Sequence, residues 1–160
     1  MNLPSHLSTR IQYQHKALVD LIDGLSIEMV RRHVVPGKWS IFENIVHLQT
    51  YQHFFLDRIN LILEKENPVF ERYTADADPL FLDNCGKTTR EIMQDLIRVR
   101  KDMAAAMLAY PESVFIRKGT HPKFGTMTLL QWINFFLLHE AHHLFAIFKL
   151  RVELQQVITE

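Results

Sequence analysis

Five glycines and six prolines are all the strong helix breakers in this chain of 160 residues, and where they fall decides its outline. They stand at Pro4, Gly24, Pro36, Gly37, Pro68, Pro79, Gly86, Pro111, Gly119, Pro122 and Gly125, leaving an opening interval and three long ones uninterrupted. Each interval repeats its apolar residues at helical spacing. The first runs from Ser5 to Leu25 with Leu7, Ile11, Leu18, Ile22 and Leu25 on one face, and frays through the turn-like Ser26–Gly37 stretch. The second opens on Ser40-Ile-Phe-Glu43, a capping box, carries Ile41, Ile45, Leu48, Phe55, Ile59 and Ile62, and runs to about Glu66 before Pro68 stops it. The third opens on a second box, Thr88-Thr-Arg-Glu91, carries Ile92, Leu96, Val99 and Met103, and ends before Pro111. The fourth starts at Thr128-Leu-Leu-Gln131 and continues toward Val157.

No β-alternation competes with this pattern, so the predicted fold is all-α: a four-helix bundle forming one domain over residues 1–160. The second and third helices are separated by about 20 residues, too many for a tight antiparallel turn, which predicts a long crossover over the end or side of the bundle. Loops of that length are often functional.

Composition excludes several classes of function. Lys and Arg number 18, as do Asp and Glu, and no basic stripe stands out, so a nucleic-acid partner is not expected. The most apolar stretch, Leu129 to Leu150, is interrupted by seven polar or charged residues between Gln131 and Lys149, which argues against a membrane span. The N-terminal residues lack a basic segment followed by an apolar one, and the single cysteine, Cys85, offers no internal disulfide; both predict a cytoplasmic protein.

The unusual feature is nine histidines, at positions 6, 15, 33, 47, 53, 121, 139, 142 and 143. His139 and His143 are one helical turn apart on one face and can ligate a single metal ion, but two ligands do not make a site. The second helix offers His47 as a third, with a hydrogen-bonded core role as the alternative reading. His142 lies about 100° further round the helix, which points it to the rim. His6, His15, His33 and His53 sit among polar neighbours and read as solvated, and His121 falls in a loop near the mouth of any bundle-end site. His139-Glu-Ala-His-His143 also satisfies H-E-x-x-H. The extended zinc-peptidase form fails, because Ala146 and Lys149 stand where Gly and the third His belong, and no strand is apparent to support the other form.

Taken together, Pro36-Gly-Lys-Trp-Ser-Ile-Phe-Glu-Asn-Ile-Val-His47-Leu, His121-Pro-Lys-Phe-Gly-Thr-Met-Thr-Leu and His139-Glu-Ala-His-His143-Leu resemble the DinB-like superfamily in order and spacing over nearly the whole chain. The resemblance implies a four-helix bundle with a long connection between the second and third helices, frequent homodimers, and a metal site formed by His47, His139 and His143 with His142 outside it. Members with an assigned activity are mostly S-transferases using low-molecular-weight thiols such as bacillithiol or mycothiol, with others assigned as metal-dependent hydrolases or isomerases.

The expected cofactor is therefore a divalent metal ion, zinc first for imidazole ligands, nickel or iron next. The expected partners are a small thiol and an electrophilic substrate, with water as the competing nucleophile. Glu140 and His121 are candidates for a catalytic role. Cys85, just before the third helix, reads either as a thiol activated by a helix N-terminus or as an inert loop cysteine, and Trp39, Trp132, Phe42, Phe135 and Phe136 line either a pocket or the core. A non-catalytic alternative is a metal-stabilised binding protein whose recognition loop is Pro68–Gly86, with Asp76, Asp78 and Asp83.

Overall fold

The computed structural model describes residues 3–159, so residues 1, 2 and 160 of the expected domain lie outside it. Eight helices and one β-hairpin are present among the described residues: α1 (Ser5–Tyr13), a 3₁₀ turn (Gln14–Lys16), α2 (Ala17–Ile22), α3 (Ile27–Arg31), α4 (Ile41–Glu64), a 3₁₀ turn (Ala75–Ala77), α5 (Pro79–Cys85), α6 (Thr89–Ala109), α7 (Glu112–Phe115), β1 (Lys118–His121), β2 (Gly125–Thr128) and α8 (Leu129–Thr159). The bundle consists of α1 with α2, then α4, α6 and α8.

The long helices begin where their side chains can satisfy the free amides of the first turn. Ser40 Oγ accepts from the Glu43 amide while Glu43 accepts from the Ser40 amide, and Thr88 and Glu91 do the same for α6. Thr128 and Gln131 repeat the arrangement at the start of α8. Such caps contribute about 1 kcal/mol each. At its far end α4 is closed by Arg117, whose guanidinium donates to the Ile62 and Lys65 carbonyls.

Side-chain contacts fix the helix directions. Asn44, His47, Tyr51 and Phe55 of α4 meet residues of α8 in descending order, from His143 to Phe136, so these two helices are antiparallel. Gln49 meets Asp95 and Gln52 meets Arg100, which makes α4 and α6 parallel neighbours. Arg10, Gln14 and Asp20 meet Asn134, Glu140 and Arg151, so α1–α2 and α8 are parallel as well. Parallel neighbours cannot be joined by a short turn, which accounts for the crossover between α4 and α6 that the loop length predicted.

The structure corrects the sequence reading of the first helix, of His15 and of the segment before α8. The first helix is not continuous to Leu25. It tightens into a 3₁₀ turn at Gln14–Lys16, where Gln14 turns inward to donate to Leu137 O and Glu140, and it ends at Ile22. His15, read as solvated, is buried on that turn, and burial followed by the neighbouring Arg100 charge pulls its imidazole down to about 4. A hairpin exists where no strand was expected: β1 pairs antiparallel with β2 across Pro122–Phe124, and Gly125 closes the turn at φ 74°. Its strands are too short, and too exposed on β2, for apolar alternation to betray them.

Apolar residues form two cores along the bundle. One contains Ile11, Phe55, Ile59, Met103, Trp132 and Phe136; the other contains Leu18, Ile45, Leu48, Leu96, Leu144 and Ile147. Between them lies buried polar chemistry: His15 on the turn between α1 and α2, His47 with Gln49 and Gln52 on α4, Arg100 on α6, and Glu140 on α8. No helix among the described residues is long and apolar enough to cross a membrane.

Two outcomes follow from this packing. A Cβ at Gly119 would lie 2.7 Å from Phe70 and 2.9 Å from Ile62, so Gly119→Ala should destabilise the fold by about 1–3 kcal/mol in denaturant titration; an unchanged midpoint would show that the hairpin is not seated as described. For His15, the unfolded chain takes up a proton near 6.5 and the folded chain only near 4, so stability is full above 6.5 and falls as pH drops toward 4. His15→Leu should therefore shrink the difference in unfolding free energy between pH 7 and pH 5, and an unchanged difference would contradict the assignment.

Candidate metal centre

The antiparallel meeting of α4 and α8 brings three of the nine histidines together. His139 and His143 project from successive turns of α8 toward His47 on α4, and one ligand-capable nitrogen from each lies within 4.8 Å of the others. His47 Nε2 and His139 Nε2 approach to 3.0 Å, close to the roughly 3.3 Å separation of two nitrogens bound tetrahedrally to one zinc ion. His143 Nδ1 lies 2.9 Å from Asn44 Oδ1, and Asn44 is itself oriented by donating from Nδ2 to Ser40 O. An imidazole that donates from Nδ1 keeps its Nε2 lone pair free for a ligand.

The surroundings keep the cluster neutral. Burial, and then the charge that each ring would place beside the others, pull His47, His139 and His143 down to about 3. Three uncharged imidazoles with converging lone pairs are the donor set that a borderline cation such as zinc takes. The buried Nδ1 atoms of His47 and His139 have no hydrogen-bond partner among the described residues. Each such atom costs about 1–3 kcal/mol, so the cluster is a poor way to fill a core and suits a site that gains its energy from a ligand.

Aromatic rings enclose it. Trp39 lies against His47 and His143, with ring centroids 5.0 and 6.1 Å away, and Tyr51 lies 4.1 Å from His139. The crossover supplies two more rings, Phe81 on α5 and Tyr73 before it, both over His47. Tyr73 is held by donating to Asp78, which also caps α5. Asp78 is thus committed to holding the crossover in place.

The remaining sequence candidates fall outside the cluster. Glu140, next to His139 in sequence, points about 100° further round α8, where it pairs with Arg100 and accepts from Gln14, and both ions are almost fully buried. His121 sits half-buried on β1, its Nδ1 accepting from the Lys123 and Phe124 amides, and faces a cleft of about 560 Å³ shared with Tyr51 and His139. His142 is exposed and lines a separate groove with Trp39 and Lys149. His53 is not free in solvent; it bonds to Asp95. Cys85 ends α5, and burial followed by the nearby Glu43 charge raises its thiol pKa, the opposite of activation. Trp132, Phe42 and Phe136 are core, whereas Trp39 and the half-buried Phe135 reach the clefts.

Asn44 and Tyr51 were missed in the sequence although they stand three residues before and four after His47, on the same helical face. Tyr73 and Phe81 carried no such signal, because the path of the crossover alone places them.

Comparison with known proteins settles the family. The model of the DinB superfamily matches residues 10–147. The chain belongs to the DinB superfamily. YuaE of Bacillus subtilis (strain 168) is 30% identical over 135 residues, covering 77% of this chain and 83% of YuaE. The solved structure of YfiT from Bacillus subtilis, described as a probable metal-dependent hydrolase with an unusual four-helix bundle topology, superposes with a TM-score of 0.80 at 18% identity, covering 91% of this chain and 83% of that one. TT2238, described as a four-helix bundle protein, gives 0.61 at 18% identity over 89% and 95% of the two chains. At that identity, the shared bundle is what the two structures establish for this DinB-superfamily chain.

The position of Glu140 yields a test that separates a structural role from a catalytic one. Glu140→Ala strands the Arg100 charge and should cost about 3–5 kcal/mol in unfolding free energy, most of it recovered in Arg100→Met/Glu140→Leu. If the double variant is no more stable than the single one, the pair is not the source of the loss.

Proposed function

We propose that this protein is a metal-dependent enzyme in which His47, His139 and His143 hold one divalent ion, zinc by preference, and a low-molecular-weight thiol is transferred to an electrophilic substrate. The observation that carries this reading is the convergence of three neutral imidazoles, His47 buried and His139 and His143 half-buried, on one point beside an open cleft. When bound, the ion would supply the positive charge that lowers the pKa of a thiol or water molecule at its open position.

The chain's own residues then have defined tasks. Asn44 fixes the ring of His143, and Trp39, Phe81 and Tyr51 limit the water around the cluster. In the transfer, the thiol proton passes to solvent, the sulfur forms a new C–S bond, and the leaving group departs with the bonding electron pair. No carboxylate joins the three histidines among the described residues, and Glu140 is engaged with Arg100. A bound ion would lower the pKa of either nucleophile, and a thiol, starting from about 8.5 against about 15.7 for bulk water, needs the smaller shift to ionise at neutral pH. Hydrolysis is the second reading, favoured by the description of YfiT as a probable metal-dependent hydrolase.

The protein as purified should carry about one divalent metal per chain by elemental analysis, and Ala at His47, His139 or His143 should remove most of it. His142→Ala and His53→Ala should retain it. Conjugation of 2-mercaptoethanol to an activated aryl halide should require the metal and disappear in His139→Ala. Ester hydrolysis without thiol would move the assignment to the second reading, metal retention without turnover would favour a binding protein, and full metal content in His143→Ala would overturn the site.

A further inference from the structure

Among the described residues two arginines, Arg58 and Arg100, are buried, and of these two Arg100 alone has a carboxylate counterion. Arg100 is paired with Glu140. Arg58, on α4 about three turns after His47, is 3% exposed, and among the described residues no carboxylate forms an ion pair with it. Its Nη2 donates to the Glu71 carbonyl at 2.6 Å, while its buried Nε has no partner. Phe54, Phe70 and Trp132 hold the guanidinium, with ring centroids 4.3, 5.1 and 5.3 Å from its carbon. Tethering the crossover through Glu71 uses one of five donors. A buried cation left otherwise unpaired is costly, and such a group is retained where a ligand completes it.

Its surroundings indicate the ligand. Arg58 lines the cleft that His139 and Tyr51 share, and the other charged side chains lining it are Arg72 and Lys123, with no acid among them. Arg58 also acts on the other cleft groups, its charge helping to lower the His121 pKa after burial has done so. A cleft with a desolvated guanidinium at its wall and two further cations around it selects a compact anion, which a guanidinium binds in two-pronged fashion.

We propose that this cleft is an anion-binding subsite and that the small molecule reaching the three histidines carries a carboxylate or phosphate that Arg58 receives, assisted by Arg72 and Lys123. The inference rests on the metal-centre reading for the molecule's destination but not for its binding. Arg58 is a specificity determinant: it holds the charged end of the molecule while the reactive end faces His139.

The test is titration with succinate, inorganic phosphate and uncharged succinamide, read from the His121 imidazole resonances by NMR, on chelator-treated and metal-loaded protein. Succinate or phosphate should bind saturably in both forms and succinamide should not, the tighter of the two anions identifying the charged group. Arg58→Met should weaken anion binding about tenfold, with Arg58→Lys retaining part of it. Should Arg58→Met fail to fold, Arg72→Gln/Lys123→Gln, at exposed positions, should still weaken binding several-fold. Equal binding of succinate and succinamide, undiminished binding in folded Arg58→Met, or no effect of the double variant would overturn the subsite. Anion binding by a protein that never takes up metal would leave the subsite standing and remove the metal centre; correct metal content without anion binding would do the reverse.

Discussion

A layer of buried polar groups crosses the middle of the bundle, and it can be buried only if all four bundle helices meet in one register. Arg100 needs Glu140 and Gln52, and Glu140 needs Gln14, so α6, α8, α4 and the turn after α1 are locked together at one level. An apolar bundle tolerates sliding by a turn; one carrying this network does not, because each misplaced group would be left unsatisfied. The same register places His47 opposite His139 and His143. The Arg100–Glu140 pair therefore sets the spacing on one side of α8 while the histidines occupy another.

The crossover links topology to the site. Because α4 and α6 run parallel, the chain must return along the bundle between them, and the returning segment lays Tyr73 and Phe81 over His47. It is tied down by Arg58 through the Glu71 carbonyl, by the Tyr73–Asp78 bond, and by the bridge of Val69 to Thr120 on the hairpin. The hairpin in turn carries His121 to the edge of the cleft. Parts that look like loose connections are thus the parts that shape access to the three histidines.

Much of this was legible in the sequence for identifiable reasons. Glycine and proline positions bounded α4, α6 and α8, both capping boxes marked their helix starts, and the spacing of His139 and His143 put them on one face. His47 entered as one option on the facing helix, and the family motifs singled it out. What was not legible depends on tertiary contacts. His15 looks solvated from its polar neighbours, yet the 3₁₀ turn rotates it inward; Glu140 is one residue from His139, yet the helical turn aims it at Arg100. Arg58 gave no local signal, because being buried without a counterion is a property of the packed structure.

The central claim is that three imidazoles hold a divalent metal, and X-ray absorption at the metal edge of the purified protein tests it most directly. The account predicts a first shell containing three nitrogen ligands at about 2.0–2.1 Å with the outer-shell scattering of imidazole rings. A shell dominated by sulfur, a shell without imidazole scattering, or protein that takes up no metal at all would contradict it.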